Sequence, residues 1–139
     1  VQLDNPVAAT RMREIILEDS SPTVVVHAVE GLKVVQDEQT LGLVMSLCTS
    51  SDTEVAKAAA RVLRGFPSHR ATAALIGLLA HERWDVRWAA AESLGMRDDP
   101  TAVGAIREVL TIESDALVAR TLQETLNQLQ GSASEEEHG

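Results

Sequence analysis

The sequence contains four histidines and one cysteine, side chains that could bind a metal ion or act as a base or nucleophile. The histidines lie far apart in the chain and at different positions of its helical pattern: His27, His69, His81 and His138. A metal site needs several such ligands to converge on one ion. Because no helical face collects two histidines, the sequence predicts no metal site and no bound cofactor.

One segment begins like the zinc-binding motif of metalloproteases. His81 and Glu82 match its first two positions, but Asp85 stands where the second histidine is needed. Acidic residues near the start of a helix are stabilised by the positive end of the helix dipole. We therefore interpret Glu82 and Asp85 as parts of a helix start.

The single cysteine has the pattern of a core residue. Leu17, Cys48, Leu79 and Leu110 follow one another at intervals of 31 residues, and leucine is typical of a buried position. A thiol in apolar surroundings is hard to ionise and is therefore a poor nucleophile. We predict that Cys48 is buried and unreactive.

The adjacent acids Asp98 and Asp99 also have a structural interpretation. They precede Pro100, and proline is favoured at the first position of a helix, so Asp99 is predicted to cap that helix. Apart from Gly139 at the end of the chain, the glycines lie within or at the ends of predicted helices, so the sequence shows no glycine-rich phosphate loop. The sequence accordingly predicts no catalytic residue, and we expect a protein that is not an enzyme.

The chain is acidic, with a net charge of −9 over 139 residues. An acidic balance opposes binding to nucleic acids, because affinity for their phosphates depends on Lys and Arg. No apolar run reaches the roughly 18 residues of a membrane span, and no signal peptide is visible. A single cysteine cannot form an internal disulfide. We expect a cytoplasmic protein that binds neither nucleic acid nor membrane, and Val1 suggests a processed chain or a piece of a longer one.

The elements that position these residues follow from an internal repeat of 31 residues. Successive members of one position are Val24, Val55, Val86 and Leu117, with Ala28, Ala59, Ala90 and Thr121 at a second position and Val44, Leu75 and Ile106 at a third. Apolar residues spaced three and four apart predict an amphipathic helix in each half of the repeat. The sequence therefore predicts an all-α superhelix, or solenoid, of helical hairpins.

About eight helices are predicted, and punctuation residues mark their ends. The predicted ranges are 5–18, 22–35, 38–49, 52–65, 68–80, 83–96, 99–111 and 114–130. Ser51 with Glu54 is predicted to form a capping box, and Ser68 to cap the helix that follows Pro67. We predict one repeat domain over residues 1–130, followed by a disordered acidic tail over 131–139.

One repeat resembles a known family closely. Its residues are Asp85-Val86-Arg87-Trp88-Ala89-Ala90-Ala91-Glu92-Ser93-Leu94-Gly95, followed by Asp99-Pro100-Thr101-Ala102-Val103. This pattern is similar to the HEAT-like repeats of phycobilisome lyases, which occur in many bacterial proteins. The resemblance implies an armadillo-like helical solenoid and a polar contact between repeats made by Arg87. We expect Arg87 to pair with Asp52 or Glu54 of a neighbouring repeat.

The second helices of the hairpins usually line the concave layer of such a solenoid. The residues opposite the core stripe on these helices are mostly small or apolar. They define a predicted partner-binding groove of Met45, Thr49, Ala73, Ile76, Gly77, Ala80 and Arg107. Apolar patches with polar rims are typical of protein-binding sites. Two alternatives are that small residues permit close packing there, or that another part of a parent chain covers this face.

Tryptophans mark a second candidate surface, a convex ridge on the first helices. Arg83, Trp84 and Trp88 could form an aromatic and guanidinium anchor of the kind enriched in protein interfaces. The alternative is that Lys57 covers Trp88 through a cation–π contact and that Trp84 packs in the turn between helices.

The chain also has one basic cluster, consisting of Lys57, Arg61, Arg64 and Arg70. Arg61 shares its repeat position with Glu30 and Glu92. Ion pairs between these residues, worth at most about 1 kcal/mol each, account for the cluster without a nucleic-acid ligand.

The leading functional prediction is a non-catalytic interaction or scaffold module that binds a partner through its concave face. The partner is another protein or another domain of the same parent chain. The family resemblance implies an alternative, a subunit or relative of the bilin lyases that attach chromophores to phycobiliproteins. It also implies, as the least favoured candidate, an enzyme of the DNA-repair HEAT type, which the acidic charge opposes.

Overall fold

The computed structural model of the chain describes residues 6–18 and 21–138. Over these ranges the chain is helical and contains no strand. The helices are α1 (Pro6–Glu18), α2 (Pro22–Gly31), α3 (Glu38–Leu47), α4 (Thr53–Leu63), α5 (His69–Leu78), α6 (Trp84–Arg97), α7 (Val103–Leu110) and α8 (Ala116–His138). Short 3₁₀ turns, Leu32–Val34 and Pro100–Ala102, follow α2 and precede α7. The predicted all-α repeat fold is confirmed.

Acidic residues begin several of these elements. The Asp52 carboxylate accepts hydrogen bonds from the backbone N–H groups of Glu54 and Val55, at 2.9 and 3.2 Å. Asp52 therefore caps α4, and the capping box predicted for Ser51 and Glu54 is wrong by one residue. A carboxylate one residue nearer the helix reaches the unpaired N–H groups of the first turn directly.

Two other predicted caps are confirmed. Asp99 accepts a hydrogen bond from the Thr101 backbone N–H at 3.0 Å, where the chain enters the second 3₁₀ turn. The Ser68 hydroxyl accepts one from the Arg70 N–H at 3.1 Å, at the start of α5. Asp98 ends α6 in the left-handed region, with φ 54°. Aspartate tolerates this conformation better than most residues, which allows the chain to turn sharply before Pro100.

The chain packs as two compact units, Val1–Ala71 and Thr72–Gly139, and the division falls within α5. In the first unit α1 packs on α2, α2 on α4, and α3 on α4. Its buried core includes Val29, Leu32, Val44, Leu63 and Phe66. Val44, Val55 and Ala59 of the repeat positions are buried as the 31-residue period predicts, whereas Val24, the first member of its position, is 41% exposed.

In the second unit α6 packs on α8, and α7 also packs on α8. The buried side chains include Leu75, Val86, Leu94, Ile106 and Leu122. Alanines fill the remaining space along α6, at Ala89–91, where small side chains permit close packing of helices. A core of this kind needs few aromatic residues, in agreement with the 2% aromatic content of the chain.

The structure differs from the sequence predictions at both ends. Leu17 is exposed, although its repeat position predicts burial; α1 packs on α2, and its buried apolar residues are Ala9 and Ile16. Helix α8 continues to His138, whereas the sequence predicted a helix only to residue 130 and a disordered tail over 131–139. Ala and Glu in this segment are favourable in a helix, and Gly139 lies outside the described residues. None of the described helices is long and apolar enough to cross a membrane.

Candidate binding surfaces

Part of the predicted groove lies on α3, the second helix of its hairpin in the first unit. Met45 is half-buried there, and Thr49, just beyond the end of the helix, is exposed. The Thr49 hydroxyl donates a hydrogen bond to the Ser46 carbonyl at 2.9 Å, so its polar group is satisfied locally. A Cβ atom built on Gly42 would meet nothing within 4 Å. This side of α3 therefore has room for a ligand.

The second unit presents the other predicted residues. Ala73 and Gly77 on α5 and Ala80 just after it are exposed, while Ile76 is half-buried and Arg107 on α7 is exposed. Cβ atoms built on Gly77 and on Gly104 of α7 would also meet nothing within 4 Å. Close packing of helices therefore does not require glycine at these places. Because these side chains are small, no bulky group covers the surfaces of α5 and α7 that carry them.

The tryptophan ridge lies at the start of α6. Trp84 is the first residue of the helix and is exposed, and the Arg83 guanidinium pairs with the Asp85 carboxylate at 3.1 and 3.2 Å. Trp88, one turn later, is half-buried, and its indole N–H donates to the Thr121 hydroxyl of α8 at 3.2 Å. The ridge residues therefore differ: Trp84 is open, whereas Trp88 is tied to the neighbouring helix.

Arg87 makes a different contact from the predicted one. Its guanidinium donates two hydrogen bonds to the Glu113 carboxylate, at 2.9 and 3.0 Å, and others to the carbonyls of His81 and Glu82. The expectation that Arg87 pairs with Asp52 or Glu54 is wrong. The side chain instead reaches the turn before α8, which its own hairpin places beside it, and both charged groups are largely buried, at 15% and 3% exposure.

The basic cluster is largely neutralised by ion pairs. Arg61 lies 3.6 Å from Glu30, and Arg70 lies 2.6 Å from Glu38. Lys57 pairs with Glu54 at 2.8 Å. These pairs favour the interpretation of the cluster as an ion-paired surface over that of a phosphate-binding stripe.

Cys48 is buried, as its repeat position predicts. Burial raises the pKa of its thiol to about 12, so the thiolate is scarce at neutral pH. Among the described residues, no group of three or more His, Cys, Asp or Glu side chains is arranged to hold a metal ion.

Sequence reasoning missed a polar network beside α6 in the second unit. The Arg97 guanidinium donates to the Thr72 hydroxyl at 2.9 Å, and that hydroxyl donates to the Asp99 carboxylate at 2.7 Å. Burial lowers the pKa of Arg97, while the charge of Asp99 opposes the shift. The sequence signal that could have indicated this network is Thr72 itself, a polar residue at the repeat position that Leu41 and Val103 occupy. The network joins Thr72 of α5 to the end of α6 and to the turn between α6 and α7.

Sequence reasoning also missed a cavity between α6 and α8, which we name the α6–α8 groove. Its volume is about 450 Å³. Its walls include Trp88, Glu92, Met96, Leu117, Arg120 and Glu124. Gly95 allows the helices to approach closely beneath it, because a Cβ there would lie 2.9 Å from the Thr125 hydroxyl oxygen.

Comparison with known proteins identifies the repeat. The family model of HEAT repeats matches residues 9–82 and 46–127, which together include most of the chain. Comparison with curated protein sequences finds no match.

Two solved structures have a similar fold. One is the complex of CpcE and CpcF of phycocyanin lyase from Nostoc sp. PCC7120, with a TM-score of 0.69 and 17% identity over 88% of this chain and 91% of that chain. The other is an engineered protein, with a TM-score of 0.63 and 23% identity over 90% of this chain and 64% of that chain. Both likenesses concern the helical-repeat fold.

Proposed function

The chain belongs to the HEAT-repeat family, and from this premise we propose that it is a non-catalytic module that binds a partner through its second helices. The partner is another protein or another domain of a longer parent chain. The proposed contact residues are those of the predicted groove, centred on Met45 and Ile76. Repeat solenoids use such surfaces because each hairpin adds a similar helix face to the array.

The open glycines carry this proposal. Gly42, Gly77 and Gly104 lie on α3, α5 and α7, and a Cβ on any of them would meet no atom within 4 Å. If close packing had selected small residues here, neighbouring atoms would surround these positions. Small residues on open helix faces instead favour surfaces that accept a bulky side chain from a partner, beside the half-buried Met45 on α3 in the first unit and beside the half-buried Ile76 on α5 in the second.

Two further observations support a protein partner. The net charge of −9 opposes nucleic acid, and the basic residues of the one cationic cluster include three with carboxylate partners. One of the structurally similar proteins was solved as a complex of two proteins, CpcE and CpcF. That likeness is one of fold, and it is consistent with a fold that serves protein association.

The proposal is tested by affinity capture with the intact chain and with the double variant Met45→Glu/Ile76→Glu. Two carboxylates on the groove are expected to abolish capture of a specific partner, because burying an unpaired charge in an interface is costly. The matched control is Val34→Glu/Ile112→Glu, which adds the same charges at exposed apolar positions elsewhere. Circular dichroism checks that both variants fold. Equal capture by the folded groove variant and by the control would exclude the groove.

A subunit of a bilin lyase is the second candidate, and the likeness to the phycocyanin lyase complex favours it. Such a role is also compatible with a surface that holds a protein. The test is incubation of the chain, alone and with candidate partner subunits, with a bilin and an acceptor phycobiliprotein. A lyase subunit is expected to produce the absorbance change of chromophore attachment. An unchanged spectrum under all combinations, with the acceptor competent for a known lyase, would exclude this candidate.

A further inference from the structure

The α6–α8 groove combines an open apolar wall with a carboxylate. Leu117 shares its repeat position with Val55 and Val86, which are buried, and with Val24, which is 41% exposed; Leu117 is 44% exposed and borders the cavity. Met96, on the opposite wall, is 65% exposed. A residue of core type and a methionine are thus left facing a common space. Contact with an apolar side chain would remove both from water.

The charges of the groove do not balance. The Arg120 guanidinium is already paired with the Glu124 carboxylate, at 3.2 Å. Glu92, by contrast, has neither an ion pair nor a side-chain hydrogen bond within the part of the chain that the structure describes. One unpaired negative charge therefore remains on the α6 wall, and it favours a ligand with a positive charge.

Trp88 provides an aromatic ring near the unpaired Glu92 carboxylate. It lies one turn before Glu92 on α6, so both side chains occupy the same side of the helix. The hydrogen bond from its indole N–H to Thr121 holds the ring at the wall of the groove. An aromatic ring beside a carboxylate attracts a lysine or arginine through both its π face and the ion pair.

The corresponding groove of the first unit has the opposite charge. It lies between α2 and α4 and is lined by Lys33, Arg61 and Arg64, with Glu30 as its acid. The groove of the first unit is therefore basic, whereas the α6–α8 groove of the second unit is acidic. The α6–α8 groove is acidic because of the particular side chains on its walls, and the 31-residue repeat does not predict this charge.

We propose that the α6–α8 groove binds a basic amphipathic segment of a partner protein. An apolar side chain of the segment lies between Met96 and Leu117, and a lysine or arginine contacts Trp88 and Glu92. This surface belongs to the first helices, so the inference does not depend on the proposed role of the second helices.

The test measures fluorescence anisotropy with a fluorescein-labelled helical peptide that carries Leu and Lys on adjoining faces, and with a matched peptide that has Gln in place of Lys. We expect the Lys peptide to bind about fivefold more tightly at low salt, the upper range for one exposed ion pair. Glu92→Gln is expected to remove this preference while preserving the shape of the groove. Leu117→Ser is expected to weaken binding of both peptides.

The control is Glu108→Gln, which removes one exposed negative charge from α7 and is expected to preserve the preference. Absence of saturable Lys-peptide binding up to about 1 mM, or equal affinity for the two peptides, overturns the proposal. It is also overturned if Glu108→Gln abolishes the preference, or if sedimentation shows a dimer that Leu117→Ser dissociates, since a second copy then occupies the groove. Met45→Glu/Ile76→Glu should bind the Lys peptide normally, which separates this test from that of the second-helix surface.

Discussion

At the scale of single residues, Arg87 and Glu113 form an ion pair that is largely buried. Two charges removed from water are stable only when their hydrogen bonds are satisfied. The guanidinium meets this requirement through the carboxylate and the carbonyls of His81 and Glu82, and Glu113 also accepts from the Asp115 backbone N–H at 2.9 Å. The pair thus joins the start of α6 to the turn before α8.

We predict that Arg87→Met lowers the free energy of unfolding by about 3 kcal/mol, because Glu113 is left buried without its partner. Arg87→Lys should restore only part of the loss, since an ammonium cannot make the paired contact with the carboxylate. Urea denaturation of the single variants, of Glu113→Gln and of the double variant measures the coupling. A coupling energy near zero would show that the two side chains do not stabilise each other.

At the scale of elements, the start of α3 is capped by the Asp37 carboxylate, which also interacts with the charge of Arg13. The Asp37 carboxylate accepts a hydrogen bond from the Thr40 backbone N–H at 2.8 Å. Hydrogen bonds from Thr40, with a smaller contribution from the Arg13 charge, lower the pKa of Asp37 below its ordinary value of 3.8. Arg13 also donates to the Thr40 hydroxyl at 3.1 Å. The start of α3 is thereby connected to α1.

A lowered pKa means that the folded state favours ionised Asp37. Its contribution to stability is complete above the ordinary value of 3.8 and is lost as the pH falls through the lower native value. Asp37→Asn keeps an oxygen that can cap the helix but cannot ionise. We therefore expect the difference in urea midpoint between the native chain and Asp37→Asn to be larger at pH 7 than at pH 3.

The difference should be small, because the carboxylate is half exposed and solvent screens it. Glu108→Gln, which removes an exposed negative charge elsewhere, serves as the control for the general effect of net charge. A midpoint difference that grows towards low pH would contradict the assignment of the pKa shift to Asp37.

At the scale of the whole molecule, the division into two compact units bears on whether the chain unfolds in one cooperative transition. Each unit has its own buried core. Stability in repeat proteins is approximately a sum over repeats and their nearest-neighbour contacts. Local unfolding of one unit therefore need not require unfolding of the other.

Leu63 and Leu94 provide a matched test, because they occupy the same repeat position in different units and both are buried. Truncation of either to alanine is expected to cost about 2–5 kcal/mol. We predict that Leu63→Ala reduces hydrogen-exchange protection mainly within residues 1–71, and Leu94→Ala mainly within 72–130. If either variant lowered protection uniformly along the chain, the single cooperative domain predicted over residues 1–130 would be supported instead.

The sequence by itself determined the elements and the core. A period of 31 residues and apolar spacings of three and four place Val44, Leu75 and Ile106 on the inner faces of their helices, and all are fully buried. The same pattern predicted the burial of Cys48. These results could be predicted because the face on which a residue lies depends on local helix geometry alone.

Only the tertiary structure decided which groups meet across elements. Neither the partner of Arg87 nor the exposure of Leu117 follows from the repeat: Glu113 lies in a turn of irregular conformation, and Leu117 borders a space between α6 and α8. A repeat pattern averages over its units, whereas an ion pair or a cavity depends on the individual side chains and on the distance between two helices. The α6–α8 groove depends on the distance between its two helices, which the repeat pattern does not specify. The sequence therefore did not predict this groove.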